Sequence, residues 1–395
     1  MSAQRTVLYQ SIGAELSHFD VDVESATLTK RASITLPSKV QYVWQHPSRK
    51  YLTVSTSDAA SGNALDPGVM HRLCALKVNA DGSLAHHGES QPLPSRPIHH
   101  CVDRGGNYAL TAFNNPSNIT VHRINADGTI GAKVEQTSKI DVGIYAHQVV
   151  TAPSNRIVIF PARGNDARPG KPEDPGAIKV YGFKDGQLTQ LQSVDAVGKG
   201  GMDYRPRHVD FHPTQPWMYV NVESQNELHM HRIEGDNVIA KPSFVKTSLA
   251  GTRDPKLHQT TSAIHFHPSG RFLYVGNRAD ATVEFNGKKV FAGGENSIAV
   301  FAIDQTTGEP TRIQSVDPLT HHVRTLGIDP SGRLLVTANI RDMWVRDGSS
   351  NGVRVAPTAL TVFRIGDDGK LTFARKYDFE SGGKLQWWAG MMGLA

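Results

Sequence analysis

Apolar and polar residues alternate along most of the chain. In ITVHRINADGTI (119–130) and LTVFRIGDDGKL (360–371), aliphatic and aromatic side chains recur at about every second position before a polar, Gly-containing turn. A period of two marks a strand with distinct faces. Five more segments share the design: HFDVDVESATL (18–28), LCALKVNADGSL (73–84), IKVYGFKDGQL (178–188), LHMHRIEGDNV (228–238) and IAVFAIDQTTGEP (298–310). Helical periodicity is essentially absent.

Upstream of six of these seven copies lies a second pattern, a strand, a Pro or Gly turn and another apolar strand. Its six examples are WQHPSRKYLTV (44–54), CVDRGGNYALT (101–111), VTAPSNRIVIF (150–160), DFHPTQPWMYV (210–220), HFHPSGRFLYV (265–275) and GIDPSGRLLVT (327–337). Each unit therefore predicts a hairpin followed by two outer strands, which make a four-stranded antiparallel blade. The seventh hairpin is split, with VLYQS (7–11) near one end of the chain and LQWWAGMM (385–392) near the other. A blade has two apolar faces and cannot bury both alone, so blades must stack, and seven fill one ring. The expectation is an all-β, seven-bladed β-propeller, a single domain over residues 1–395, with its last blade closed by both termini. Long Gly/Pro/Asp-rich insertions at 57–70, 163–177, 279–296 and 341–357 follow second strands and are expected as rim loops on one face.

Composition narrows the function. The chain has 395 residues, 38% hydrophobic and 20% charged, with 36 Gly and 22 Pro, which suits a turn-rich globular protein and excludes a disordered or coiled-coil one. No apolar run is long enough to cross a membrane as a helix, and the start MSAQRTVLYQ lacks a basic-then-apolar profile, so the expected location is the cytoplasm. The net charge is +5, but the 42 Lys and Arg form no polybasic block, which argues against nucleic acid and for a small anionic ligand in a cleft. The two cysteines, Cys74 and Cys101, read as reduced thiols. No third ligand accompanies the HxH pairs His229/His231 and His265/His267, so neither a metal nor another cofactor is expected. A monomer is the default.

In a propeller, residues just before each first strand and just after each second strand share one rim around the axis. Those positions hold His99 and His100, His147, Arg207 and His208, His265, then His321, His322 and Arg324; second-strand ends hold Asn221, Glu223, Asn277, Arg278 and Asn339. With the turn centred near Gln215, Arg207 lies across from Glu223, within reach of a cross-strand ion pair. Charges at such positions are costly unless paired or functional. His46, His212 and His267 precede turns on the far face and read as turn residues. Trp387 and Trp388 either seal the closing blade or line the channel, with core packing favoured.

The segments PIHHCVD (97–103), AHQVV (146–150), PRHVDFHP (206–213), YVNVE (219–223), HPSGRFLYVGNR (267–278) and RTLGIDPSGRLLVTAN (324–339) resemble the seven-bladed propeller lactonases, a family holding propeller-type 6-phosphogluconolactonases and carboxy-cis,cis-muconate cyclase. The resemblance covers nearly the whole chain and implies a functional cluster at His147, Arg207, Glu223 and Arg278, with His99 and Arg324 matching further cleft positions. His208 and His322 join them as substrate-binding candidates from the rim. Ser262-Ala263-Ile264, Ala162 and Ser55-Thr56 replace residues that are often acidic or amide in the family, which predicts a cleft depleted of carboxylates. The activity implied is hydrolysis of a carboxylated or phosphorylated lactone, with His147 or Glu223 as base and arginines as an anion clamp. Two alternatives are a lactonising cycloisomerase acting on a dicarboxylate and a non-catalytic propeller that binds a ligand or protein.

Overall fold

The computed structural model describes residues 5–59, 66–196, 198–254, 256–348 and 352–395. Seven antiparallel sheets form the ring that the repeat predicts, with the innermost strand of each first in chain order except in blade 1. Blade 1 takes its innermost strand, Ala389–Gly393, from the end of the chain and the next, Thr6–Ile12, from its start. They pair from Thr6↔Gly393 to Gln10↔Ala389. The tryptophans of LQWWAGMM lie just ahead of this closing strand rather than in it.

Period-two alternation becomes radial packing. In the second strand of blade 4, Ile157–Ala162, Ile157 and Ile159 enter the apolar cluster shared with blade 5, whereas Val158 and Phe160 enter the one shared with blade 3. Blade 1 repeats the arrangement: Val7 and Tyr9 face blade 2, and Leu8 faces blade 7. Seven such clusters occupy the seven seams. Each buried Val, Leu, Ile or Phe contributes about 1.5 to 3 kcal/mol, so the seams hold the ring together.

Polar staples cross the same seams. Tyr9, Tyr219 and Tyr274 donate to the carbonyls of Gly82, Gly308 and Gly369 on the following blade, at 2.7, 2.6 and 2.9 Å. His46 and His267 are turn residues, as expected, and their Nε2 atoms also reach Gly106 O and Gly332 O of the next blade at 2.9 and 2.8 Å. Gly369 has φ +78, and a Cβ there would come within 2.3 Å of the Phe272 ring. Only glycine fits that close inter-blade approach.

The insertions rise on one face. Residues 279–296 form the hairpin Thr282–Phe285 with Lys288–Phe291, and 341–357 form Met343–Arg346 with Val353–Ala356. Lys288 and Arg346 lie over the Trp344 and Phe285 rings, tying the two hairpins together. The 57–70 and 341–357 insertions lie partly outside the described residues. No helix among the described residues is long and apolar enough to cross a membrane.

Candidate functional site

Four local features of the strands bring charged side chains to the rimmed end of the axis. Blade 5 pairs Pro206 with Val222 and His208 with Asn221, so Arg207 is the extra residue of a bulge, and bulges re-aim side chains. Glu223 follows the second strand of that blade, Trp217–Val222. Arg278 sits near the end of Phe272–Ala279 in blade 6, opposite Thr260, whose Oγ1 accepts from its Nε at 3.1 Å. In blade 4 the inner strand shrinks to Val150–Thr151. Its partner carries Pro161, which cannot donate to the ladder, so His147 is held by its backbone N–H on Pro161 O at 2.9 Å.

Three guanidinium groups converge on Glu223. Oε1 accepts from Arg207 Nε at 3.1 Å and Arg278 Nη2 at 2.6 Å, and Oε2 accepts from Arg163 Nε. Burial alone would raise the carboxyl pKa, but the fields of Arg163, Arg278 and Arg207 overcome it and hold it well below 4.5. A carboxylate so committed has little basicity left. Glu223 thus has the geometry of an anchor for three cations. Burial together with repulsion from Arg278 lowers the pKa of Arg207 to about 9. Its Nη1 donates to Ser262 O, as does Asn221 Nδ2 at 2.8 Å.

Above this cluster opens a cleft of about 1310 Å³, lined among the described residues by seven Arg and Lys side chains and four carboxylates. Arg324 is partly exposed on its wall, and its side chain makes no hydrogen bond or ion pair among the described residues; its guanidinium carbon lies 4.1 Å above the centre of the Trp387 ring. Arg96 lies 5.0 Å from the same ring, held by Gln41 Oε1 at 2.9 Å. Burial first, then repulsion from Arg207, Arg278 and Arg96, disfavours the charge on Arg324 strongly. An arginine stays protonated even so, which leaves a cation whose natural relief is an anion.

His147 also lines the cleft. Burial and the field of Arg207 hold its pKa well below 6.5, so the ring is neutral. Its centroid is 5.1 Å from that of His208, which is 5.5 Å from that of His99, which packs on Tyr42 at 3.9 Å.

Of the eight residues singled out from sequence, His147, Glu223, Arg278, His322 and Arg324 line the cleft. Arg207, His208 and His99 do not. Arg207 is 1% exposed beneath Glu223, and with His208 it borders a separate cavity of about 270 Å³ on the axis; His99 is fully buried behind His208. Arg324 and Trp387 line both cavities, so they form the partition between them. Trp387 is thus a lining residue, whereas Trp388 packs in the seam with blade 2 and also borders the smaller cavity. His100 is tied to Ser55 Oγ at 3.0 Å inside a seam, His265 borders the smaller cavity, and His321 packs on Phe291. His229 faces Glu227, and His231 faces Ile239 O. Among the described residues no group of His, Cys, Asp and Glu is arranged to hold a metal.

The expected depletion of carboxylates needs correction. Asp166 and Asp280, both from insertions, replace what the strands lack: Asp166 pairs with Arg163 at 2.5 Å and Arg205 at 3.1 Å, and Asp280 faces His258 and His322. Sequence reasoning missed Arg163, Arg96, His258 and Asp280. Arg163 had a signal, since it directly follows the second strand of blade 4, the position that Glu223 holds in blade 5.

A family model described as a lactonase of the seven-bladed β-propeller type matches residues 6–346. Relatives include the 6-phosphogluconolactonase of Pectobacterium carotovorum, 24% identical over 316 residues that cover 79% of this chain and 80% of that protein. That of Bacillus subtilis is 26% identical over 272 residues, 67% of this chain and 70% of that protein. Among solved structures, a periplasmic gluconolactonase of Pseudomonas aeruginosa superposes with a TM-score of 0.71 at 16% identity, covering 99% of this chain and 100% of that one. A protein from Lactobacillus plantarum gives 0.69, also at 16% identity, over 99% and 100%. At such identity the likeness is one of fold. It nonetheless overturns the cytoplasmic expectation, because the same ring serves a periplasmic protein. The physical reason is that a ring held by apolar seams, with Cys74 and Cys101 buried and free, carries no mark of redox compartment.

Proposed function

Because the chain belongs to the seven-bladed β-propeller lactonase family, we propose that it hydrolyses a lactone bearing a carboxylate or phosphate, with its own side chains supplying every catalytic group. The observation that carries this reading is Arg324, a partly exposed guanidinium with no counterion among the described residues, on the wall of a cleft shared with a neutral histidine. Arg324 and Arg96, spaced by the Trp387 ring, grip the anionic substituent in forked hydrogen bonds. That contact fixes the lactone ring against His147.

His147 then accepts a proton from water as the water oxygen attacks the lactone carbonyl carbon. A neutral imidazole is the form that can do so. Arg278 and Arg163, each held by Glu223, direct N–H donors at the carbonyl oxygen as it becomes an oxyanion. Glu223 itself is a positioning residue. Net charge explains the division of labour: with three cations on one carboxylate, the cluster keeps an excess of positive charge for the transition state.

The test is Arg324→Ala assayed by pH-stat on paired lactones with and without a carboxylate. The charged lactone should lose about 10- to 100-fold in kcat/KM, the worth of a hydrogen-bonded charge pair of roughly 1.5 to 3 kcal/mol, and the neutral one should change little. Equal losses on both would overturn the clamp. The sign of proton exchange tests the reaction class, because hydrolysis releases a proton and lactonisation of a dicarboxylate onto an alkene consumes one.

A further inference from the structure

Opening a lactone creates a second chemical need. The ring oxygen leaves as an alkoxide unless a proton reaches it, and His147 has just taken one from water. A separate donor on the same cleft would meet that need.

His258, at the start of the inner strand of blade 6, lines the cleft, and its side chain is 65% exposed. Its Nδ1 lies 2.6 Å from Asp280 Oδ1. Nε2 has no protein partner among the described residues. Asp280 is fixed on its other oxygen: His322 Nδ1 lies 3.1 Å from Oδ2 and Arg341 Nη2 3.7 Å away. His322 Nε2 in turn faces Arg278 Nη1 at 3.3 Å. A continuous chain of polar contacts therefore runs from Glu223 through Arg278, His322 and Asp280 to His258. An imidazole oriented through one nitrogen by a carboxylate, with the other nitrogen free over a substrate cleft, is the arrangement of a proton carrier rather than of a fold staple. The exposure of His258 supports this, since the ring does not fill a seam.

We propose that His258, oriented by Asp280, is the catalytic proton donor to the departing ring oxygen. The assignment rests on the hydrolytic reading above. In the first step the water oxygen bonds to the carbonyl carbon and one water proton passes to His147. In the second, the carbon to ring-oxygen bond breaks, its electron pair stays on oxygen, and the Nε2 proton of His258 moves there. His147 then loses its proton, His258 regains one from solvent, and ionisation of the new acid leaves one proton released per lactone.

The surroundings fit the two roles. The hydrogen bond to Asp280 raises the proton affinity of His258 above that of an ordinary histidine, against burial and the Arg278 charge, with Glu223 adding a small favourable field. His322, on the same carboxylate, is instead pushed down to about 4, chiefly by burial. His258 is thus the member of the pair that holds a second proton more tightly.

The experiment compares wild type, His258→Asn and Asp280→Asn on two carboxylated lactones, one releasing an aliphatic alkoxide and one a phenolate, which needs no proton to leave. His258→Asn should lower kcat on the aliphatic lactone about 100-fold or more, within the usual range for a general acid, with KM little changed. The loss on the aryl lactone should be at least tenfold smaller. The fall of kcat at alkaline pH, where His258 deprotonates, should vanish in His258→Asn and shift to lower pH in Asp280→Asn. Equal losses on both lactones, or an alkaline limb that persists in His258→Asn, would overturn the assignment. His147→Gln, which should slow both lactones alike, separates the cases: failure of that expectation strikes the hydrolytic reading, whereas failure confined to the His258 variants strikes only this one.

Discussion

Replacing Glu223 by glutamine removes one charge and almost no volume, so it isolates the electrostatics of the cluster. In the wild type the carboxylate neutralises part of the field of Arg163, Arg207 and Arg278, whose side chains are 10%, 1% and 10% exposed. Arg163 keeps Asp166, but among the described residues Arg207 and Arg278 pair with no other carboxylate. Breaking a buried pair from one side costs about 3 to 5 kcal/mol, because the remaining charge stays desolvated. We expect Glu223→Gln to lose that much in denaturant unfolding at pH 7 and, on the proposed lactonase reading, to turn over lactone far more slowly, since its arginines lose their anchor. The pH dependence supplies a second signature. The folded-state pKa lies below the ordinary 4.5, so the contribution is complete above that value and fades as pH falls toward the folded pKa. The stability gap between the two proteins should therefore be widest near neutrality and narrow below pH 4.5. A variant within about 0.5 kcal/mol of wild type at pH 7, or a gap that widens in acid, would refute the account.

Two further outcomes are expected. Because burial and Arg207 hold His147 neutral, kcat/KM should stay level as pH falls through 6.5 and drop only in more acid solution, and an acid limb at or above 6.5 would remove His147 from the role of base. Gly369→Ala should destabilise the ring by about 1 to 3 kcal/mol without altering KM, since it places a Cβ at φ +78 against Phe272; unchanged thermal unfolding would show that the seam yields there.

What could be read from sequence was whatever the repeat encodes. Alternation in IVIFPA assigns Ile157 and Phe160 to opposite seams from sequence alone, and hairpin symmetry brings Arg207 within reach of Glu223, although the bulge leaves Arg205 rather than Arg207 directly opposite it. What escaped depends on departures from the repeat. The bulge at Arg207 adds a residue that strict alternation does not register, and it leaves Arg207 beneath Glu223 instead of on the cleft. His99 and His208 share the nominal rim position of His147 but lie deeper along the axis, because position along a strand fixes direction and not depth. Asp280 comes from an insertion, where side chains meet through loop folding without a period to follow. Trp387 was legible as aromatic but not as a partition, because its partners Arg96 and Arg324 lie in two other blades.

The closing pair Thr6–Ile12 with Ala389–Gly393 has a consequence for biosynthesis. Roughly 380 residues separate the two strands, so at ordinary ribosomal speeds the first strand waits on the order of 20 to 80 s for its mate. During that interval its backbone offers an unpaired edge to any passing chain, a hazard that chaperones exist to cover. The indole of Trp387 emerges in the same late stretch, so a nascent chain lacks the aromatic surface that Arg96 and Arg324 pack on, and the proposed anion grip can assemble only at the moment the circle shuts.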